Sequence, residues 1–357
     1  MADSVSPSRR IVLLTEGHSE PVAGKTASCI LRYRSDDVVA LLDSATAGRT
    51  AGELFGVGGR IPVVGRLADV PTATELVIGI APSGGRVPPG WRPVLLEAIR
   101  RGMRIVSGLH EFLSDDPELS AAAAAAGVEI RDVRKNDERD VASRLGLRED
   151  RLRLLTIGQD CSVGKMLAAV ELTRALTARG LDAAFLATGQ TGIMIEGDGC
   201  PIDRVVSDFV NGAVEKLVKR KQHHEILVVE GQASITHPRY SGVSLGLLHG
   251  AAPHGMILVY EVGRTHHMGM ASELLPTLER VVAAYEQMAS FVGGGRVIGV
   301  AINSRLVGPA EAAVERRRVS AALGLPACDP IRDGCDDLVA AVESLQAARR
   351  ATEESHA

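Results

Sequence analysis

Short apolar runs alternate with helix-compatible or glycine-rich segments along the 357-residue chain. This alternation predicts parallel, doubly wound sheets in an α/β protein. A polar stretch without periodicity, residues 134–150, interrupts the pattern, and a chain of this length favours two domains. We therefore expect two doubly wound domains, residues 1–148 and residues 149–357. The runs expected to be strands are 11–15, 38–42, 76–81, 104–107 and 128–132, followed by 152–157, 183–187, 226–229, 256–260 and 297–302.

Composition and charge narrow the classes of function. Aromatic residues make up 3% of the chain and the net charge is −4, which does not favour binding to nucleic acid or to a membrane surface. Five scattered cysteines form no disulfide pattern, and no apolar run reaches the roughly 18 residues of a membrane span. We expect a cytoplasmic protein that acts on a small molecule, without nucleic-acid or membrane partners. A homo-oligomer is expected because such folds commonly form one.

The most informative segment is a glycine loop between the apolar run 152–157 and the helix-like segment 166–179. The N–H groups of such a loop and the N-terminus of the following helix bind anions, and Lys165 adds a positive charge. Five residues, not four, separate Gly158 from Gly164, and Met166 replaces the hydroxyl that ligates magnesium in a standard P-loop. The second domain is thus expected to be P-loop NTPase-like, with one metal ligand missing. The expected cofactor-binding residues of the loop are Gly158, Asp160, Cys161, Ser162, Val163, Gly164, Lys165 and Met166.

A second signal is the apolar run 226–229, which ends in Glu230 and Gly231. In P-loop proteins an acidic residue at such a strand end holds magnesium, directly or through water. The alternative is an acidic residue that only marks the end of a buried strand. Glu230 is therefore a catalytic candidate, and a metal ligand only if magnesium is used.

Several side chains could move a proton or an acyl group. His237 and His249 follow the Glu230 strand, and either could accept the proton that an attacking ammonium loses. Cys161 lies at a helix N-terminus beside Lys165, which favours a thiolate and makes an acyl-cysteine step one hypothesis. The other hypothesis for Cys161 is a small residue that fits a tight loop.

Other polar residues near strand ends are candidates for binding substrate. Arg264 suits a carboxylate, because a guanidinium binds a carboxylate through two hydrogen bonds. The adjacent pair His266 and His267 is a poor metal signature, and we expect solvated or capping roles for it. Gly24 and Lys25 superficially suggest a second phosphate loop, but no following helix of clear period is expected. The substrate-binding candidates are Thr188, Gln190, Thr191, Asp208, Gln232 and Arg264.

The second half of the chain resembles dethiobiotin synthetase. The resemblance implies ATP- and magnesium-dependent activation of a carboxylate, followed by amide formation. Within the same P-loop class, Asn303 resembles an asparagine that reads a nucleotide base, so adenine is its implied partner. The residues that carry the match are Gly158, Asp160, Val163, Gly164, Lys165, Glu230 and Gly231.

A closer resemblance spans nearly the whole chain. It is to a bacterial family long called a domain of unknown function, with a Rossmann-like and a P-loop domain and with members described as D-glutamate N-acetyltransferases. The resemblance implies acetyl transfer from acetyl-coenzyme A to the α-amine of an acidic amino acid. The chain departs from the family pattern at residues 136–137, Arg239 and 265–270, near expected substrate loops. The matching blocks are 78–82, 106–110, 112–117, 160–166, 187–195, 229–232 and 240–250.

The two resemblances lead to different reactions. A P-loop can hold the phosphates of coenzyme A without hydrolysing them, so Met166 costs little in acyl transfer. ATP chemistry depends more on magnesium, which neutralises charge on the transferred phosphoryl group. We therefore rank an acetyl-coenzyme A-dependent N-acetyltransferase first and an ATP- and magnesium-dependent ligase second. A nucleotide-binding regulator without turnover is the third hypothesis.

Overall fold

The computed structural model describes residues 9–82 and 84–356, with residues 353–356 described by their backbone only. Contacts divide the chain into two units. One runs up to Lys135 and includes Ile193–Gly197, and the other comprises Asn136–Gly192 and the chain from Asp198 onward. None of the described helices is long and apolar enough to cross a membrane.

The first unit is a parallel α/β unit. Within the part of the chain that is described, its strands are β1 (Ile11–Leu14), β2 (Val38–Leu42), β3 (Val63–Val64), β4 (Glu75–Ile78), β5 (Arg104–Ser107) and β6 (Ile130–Asp132). Its helices are α1 (Lys25–Tyr33), α2 (Ala51–Phe55), α3 (Arg92–Arg100) and α4 (Pro117–Ala126). The sheet order is β3-β2-β1-β4-β5-β6, which is the order of a Rossmann sheet. The expected doubly wound N-terminal domain is confirmed.

Two local features of this unit differ from the sequence-based expectation. Helix α1 begins at Lys25, directly after Gly24, and it buries one face against the unit's core. Its nine residues are too few for the apolar period to stand out in the sequence. Strand β3 was also not expected, because two residues cannot show a periodic pattern.

The second unit repeats the architecture. Its strands, as far as the chain is described, are β7 (Leu152–Gly158), β8 (Ala183–Leu186), β9 (Ile226–Val229), β10 (Gly255–Glu261), β11 (Arg296–Asn303) and β12 (Ala327–Cys328). Its helices are α5 (Lys165–Ala178), the first residues of α6 (Gln190–Glu196), whose part from Ile193 onward belongs to the first unit, α7 (Val210–Lys221), α8 (Ser241–Ala251), α9 (Leu278–Ala289), α10 (Pro309–Leu323) and α11 (Asp336–His356). The parallel sheet has the order β12-β11-β10-β7-β9-β8. This confirms the second α/β domain, with β12 as a strand that was not expected.

The sheet of the second unit positions the candidate site. All residues of β7 and β10 are buried, as expected for central parallel strands covered on both faces. Strand β7 pairs with β9 on one side and β10 on the other, so the strand order changes direction there. Ligands of open α/β sheets bind at such a point, outside the carboxyl ends of the strands. The loops after β7, β9 and β10 meet at this edge.

Candidate functional site

The loop between β7 and α5 has the backbone of an anion-binding turn. Ser162 adopts φ 53° and Gly164 adopts φ 110°, both in the left-handed region. Such alternation turns successive backbone N–H groups toward one side. At the end of β11, the Asn303 side-chain amide donates to the carbonyl of Val163 at 2.9 Å. Asn303 therefore fixes the loop, and the structure shows it engaged with protein backbone at the position where base reading was expected.

Lys165 is the buried cation of the loop. Its Nζ donates to the carbonyl of Asp160 at 2.7 Å, and the side chain is enclosed by the protein. Burial disfavours the charged amine and lowers its pKa to about 8, although Cys161 and Asp160 act in the opposite direction. An anion bound in the loop would favour the charged form. Lys165 is thus a buried amine at the start of α5, held against the backbone of the loop.

The carboxylate of Asp160 is the centre of a polar network. Its Oδ2 accepts from Arg264 Nη1 at 2.9 Å and from the backbone amide of Met268 at 2.8 Å. Its Oδ1 lies 3.2 Å from Nδ1 of His267 and 3.6 Å from Nε2 of His237. Burial alone would raise the pKa of Asp160, but the hydrogen bonds from Arg264, backbone amides and His267 outweigh it and lower the pKa. Asp160 is therefore an ionised organiser of the site.

Arg264 is already paired inside the protein. Its Nε and Nη2 donate to Glu261 at 2.8 and 2.6 Å, and its Nη1 also donates to the carbonyl of Cys161 at 2.7 Å. Burial lowers its pKa, but the bonds to Asp160 and Glu261 outweigh this effect, so the net pKa is raised. Arg264 thus ties the loop after β10 to the phosphate loop. The structure places it as a support of the loop, where the sequence predicted a substrate contact.

Glu230 caps the segment that leads into α6. Its Oε2 accepts from the backbone amides of Thr188 at 2.9 Å and Gly189 at 3.1 Å. Gln232 lies beside it and donates to the hydroxyl of Thr188 at 3.0 Å. Burial raises the pKa of Glu230 to about 7, although the two amides oppose the shift. The geometry joins Glu230, Thr188 and Gln232 in one cluster.

Glu230→Gln is expected to flatten the pH dependence of stability between pH 4.5 and 7. In this window the unfolded carboxyl loses its proton and the buried one keeps it, so the free energy of unfolding of the wild type falls as pH rises. A shift from 4.5 to about 7 corresponds to at most about 3 kcal/mol. Urea denaturation at pH 4.5, 6 and 8 measures it. Equal slopes in Glu230→Gln and wild type would contradict the assignment.

Three side chains of the site could be considered as metal ligands. One donor atom each of Asp160, Cys161 and His237 lies within 4.8 Å of the others. However, Nδ1 of His237 accepts from the backbone amide of Arg239 at 3.1 Å, so the proton must be on Nε2, which faces the carbonyl of Met268 at 3.3 Å. A metal needs a free lone pair on an imidazole nitrogen. The residues present therefore do not fit a metal centre.

The two positions that usually supply magnesium ligands in a P-loop protein are also poorly suited to magnesium in this chain. Met166 offers a thioether, which is not a ligand that magnesium prefers. One oxygen of the Glu230 carboxylate, Oε2, accepts from two backbone amides, and Nε2 of Gln232 lies 3.5 Å from the other, Oε1. Binding magnesium through Oε2 would leave those buried N–H groups without their acceptor.

The environment of His267 differs from the sequence-based expectation of a solvated or capping role. His266 is exposed, as expected, but His267 is only 5% exposed and its ring lies 4.9 Å from that of His237. The loop after β10 turns back, with a bridge between His266 and Leu274, and this fold inserts His267 beside Asp160. Nothing local in the sequence marks this turn.

Of the other predicted site residues, some lie away from the phosphate loop and some lie beside the Glu230 cluster. His249 is near the end of α8, the helix that leads to the amino end of β10, and hence at the opposite edge of the sheet. Asp208 is exposed before α7 and has no hydrogen bond or ion pair with the loop residues, all of which are described. Gln190 and Thr191 open α6 next to the Glu230 cluster. The structure thus unites His237 with the loop but not His249 or Asp208.

The fold and the site define a two-domain α/β protein with a Rossmann-like sheet and a P-loop. Family models agree: residues 44–136 match the Rossmann-like domain DUF1611_N, and residues 140–339 match the P-loop domain DUF1611_C, both described as domains of unknown function. The chain belongs to this DUF1611 family.

Relatives give the family a chemical context. A D-glutamate N-acetyltransferase from Tritonibacter scottomollicae is 38% identical over 76% of this chain and 82% of its own length. A D-glutamate N-acetyltransferase from a Pseudoalteromonas species is 37% identical over 75% of this chain and 81% of its own length. The crystal structure of a DUF1611 family protein from Anabaena variabilis matches with a TM-score of 0.89 and 37% identity, covering 94% of this chain and 99% of that one.

Proposed function

We propose that this protein is an N-acetyltransferase that moves an acetyl group from acetyl-coenzyme A to the α-amine of an acidic amino acid, with D-glutamate as the acceptor. Two relatives that are 37% and 38% identical over three quarters of the chain are named D-glutamate N-acetyltransferase, which supports the acetyl transfer and the acceptor. The structural observation that carries the proposal is the engagement of Glu230 by the amides of Thr188 and Gly189. A phosphate loop without magnesium ligands suits a cosubstrate whose phosphates are held and not cleaved.

In this proposal the loop after β7 is the cradle for the pyrophosphate of coenzyme A. The N–H groups of residues 160–165 and the dipole of α5 attract the anion, and Lys165 supplies charge. Arg264 and Asn303 hold the loop in place through Cys161 and Val163. The loop is thereby preorganised for an anion, which reduces the entropic cost of binding.

Mass spectrometry of the reaction product tests the proposal. Purified protein is incubated with D-glutamate and acetyl-coenzyme A, and in a parallel arm with D-glutamate, ATP and magnesium. We expect N-acetylglutamate and free coenzyme A in the first arm only. L-glutamate is the control for stereochemistry. Phosphate release coupled to a new amide in the second arm would replace the proposal by the ligase reading, and tight nucleotide binding without any product would favour a regulator.

A further inference from the structure

The buried imidazole of His267 contacts Asp160 through one ring nitrogen only, and its other nitrogen takes no part in the contacts by which the described residues hold the site together. We propose that His267, oriented by Asp160, takes the proton from the attacking ammonium of the acceptor. This inference rests on the proposed acetyl transfer. Its evidence is separate, because it comes from the direction of hydrogen bonds around two buried histidines.

The carboxylate of Asp160 fixes the tautomer of His267. Asp160 accepts hydrogen bonds from Arg264 and Met268 on Oδ2, and its pKa is lowered, so it is an acceptor. Nδ1 of His267, 3.2 Å from Oδ1, must therefore donate. In the neutral ring this leaves the lone pair on Nε2. Within the described residues Nε2 of His267 makes no hydrogen bond, although the residue is only 5% exposed.

His237 has the opposite arrangement. Its Nδ1 accepts from the amide of Arg239 at 3.1 Å, and its Nε2 faces the carbonyl of Met268 at 3.3 Å. Both nitrogens are occupied, and protonation of Nδ1 would set two donors against each other. His237 therefore supports the loop that carries His267 and is a poor proton acceptor.

The remaining candidates are less suitable. Nε2 of His249 also has no hydrogen-bond partner in the described part of the chain, but His249 lies at the far edge of the sheet. The carboxylate of Glu230 is held by the amides of Thr188 and Gly189. His267 is the candidate that combines a bare lone pair, a carboxylate that orients the ring and a position beside the loop. An orienting carboxylate also stabilises the imidazolium that forms.

The proton balance of the step is simple. His267 Nε2 takes one proton from the ammonium, and the neutral amine attacks the carbonyl carbon of the thioester. The C–N bond forms and the C–S bond breaks. The departing sulfur takes the second proton from the amide nitrogen and leaves as the thiol of coenzyme A. The proton on His267 passes to solvent, so one proton is released for each acetyl group transferred.

His267→Asn is the decisive variant, because the Asn amide can still donate to Asp160 from the place of Nδ1 but has no base at the place of Nε2. We expect kcat to fall by about a hundredfold or more, with KM for acetyl-coenzyme A nearly unchanged. The exposed neighbour provides the matched control, and His266→Asn is expected to retain wild-type kcat. Circular dichroism and Tm verify that both variants are folded.

A rescue experiment keeps the test independent of folding defects. His267→Ala is assayed with increasing imidazole, and we expect kcat to rise with imidazole concentration while the same additions leave wild type unchanged. Wild-type kcat in a folded His267→Asn protein, or no rescue of a folded His267→Ala protein, would overturn the role of His267. If wild type itself forms no acetylated product, the proposed function fails, and the inference fails with it.

Discussion

Gly231→Ala is expected to lower the free energy of unfolding by about 3 kcal/mol, the upper part of the range for overpacking a close-packed site. A Cβ atom at Gly231 would lie 1.6 Å from the carbonyl oxygen of Thr156 and 3.1 Å from Cδ of Lys165. The amide of Gly231 also donates to the hydroxyl of Thr156 at 2.9 Å. Strands β7 and β9 would have to separate at the base of the phosphate loop to admit the methyl group.

Urea denaturation followed by circular dichroism measures the effect of Gly231→Ala. Gly242→Ala is the matched control, because Gly242 lies in α8 and a Cβ atom there would meet no atom within 4 Å. Alanine favours helix over glycine by up to about 1 kcal/mol, so the control should be neutral or stabilising. A similar loss of stability in both variants would show that the close approach to Thr156 does not limit residue 231.

Lys165→Met is expected to lower kcat/KM for acetyl transfer by about a thousandfold, corresponding to about 4 kcal/mol of lost stabilisation. The charge of Lys165 has no substitute in the loop, because Arg264 is bound to Glu261 and Asp160. Methionine has a similar length and no charge to bury. Since burial already lowers the pKa of Lys165 to about 8, we expect the variant to keep or raise its Tm.

The combination of lost activity and retained stability distinguishes a functional role of Lys165 from a structural one. Lys216→Met is the control, because Lys216 is half exposed and its ion pairs with Glu138 and Asp140 contribute little in solvent. It should keep wild-type activity. Steady-state kinetics at pH 7 measures kcat/KM of both variants, and thermal unfolding at pH 7 measures their Tm. Wild-type kcat/KM in Lys165→Met would remove the P-loop from the proposed mechanism.

Most of the fold could be predicted because each strand is marked by a pattern of residues adjacent along the chain. The runs 38–42, 104–107 and 226–229 coincide with β2, β5 and β9 residue for residue. Short, continuous apolar runs bounded by glycine and polar residues are typical of buried parallel strands, whatever their partners. Strands β3 and β12 were missed since two residues are fixed by their neighbours and not by a pattern of their own.

The candidate site likewise has features that depend on adjacent residues and features that depend on distant contacts. The sequence by itself determined the phosphate loop, the strand-end Glu230 and membership of the family, because these depend on residues that are adjacent along the chain. Only the tertiary structure decided which groups within the chain form hydrogen bonds with each other. Asp160 and His267 are 107 residues apart and meet at 3.2 Å, and Glu230 reaches the amide of Thr188 across 42 residues. Hydrogen-bond direction and burial depend on such distant contacts, so the His267 imidazole, expected from the sequence to be solvated or capping, is a buried ring oriented by Asp160 in the fold.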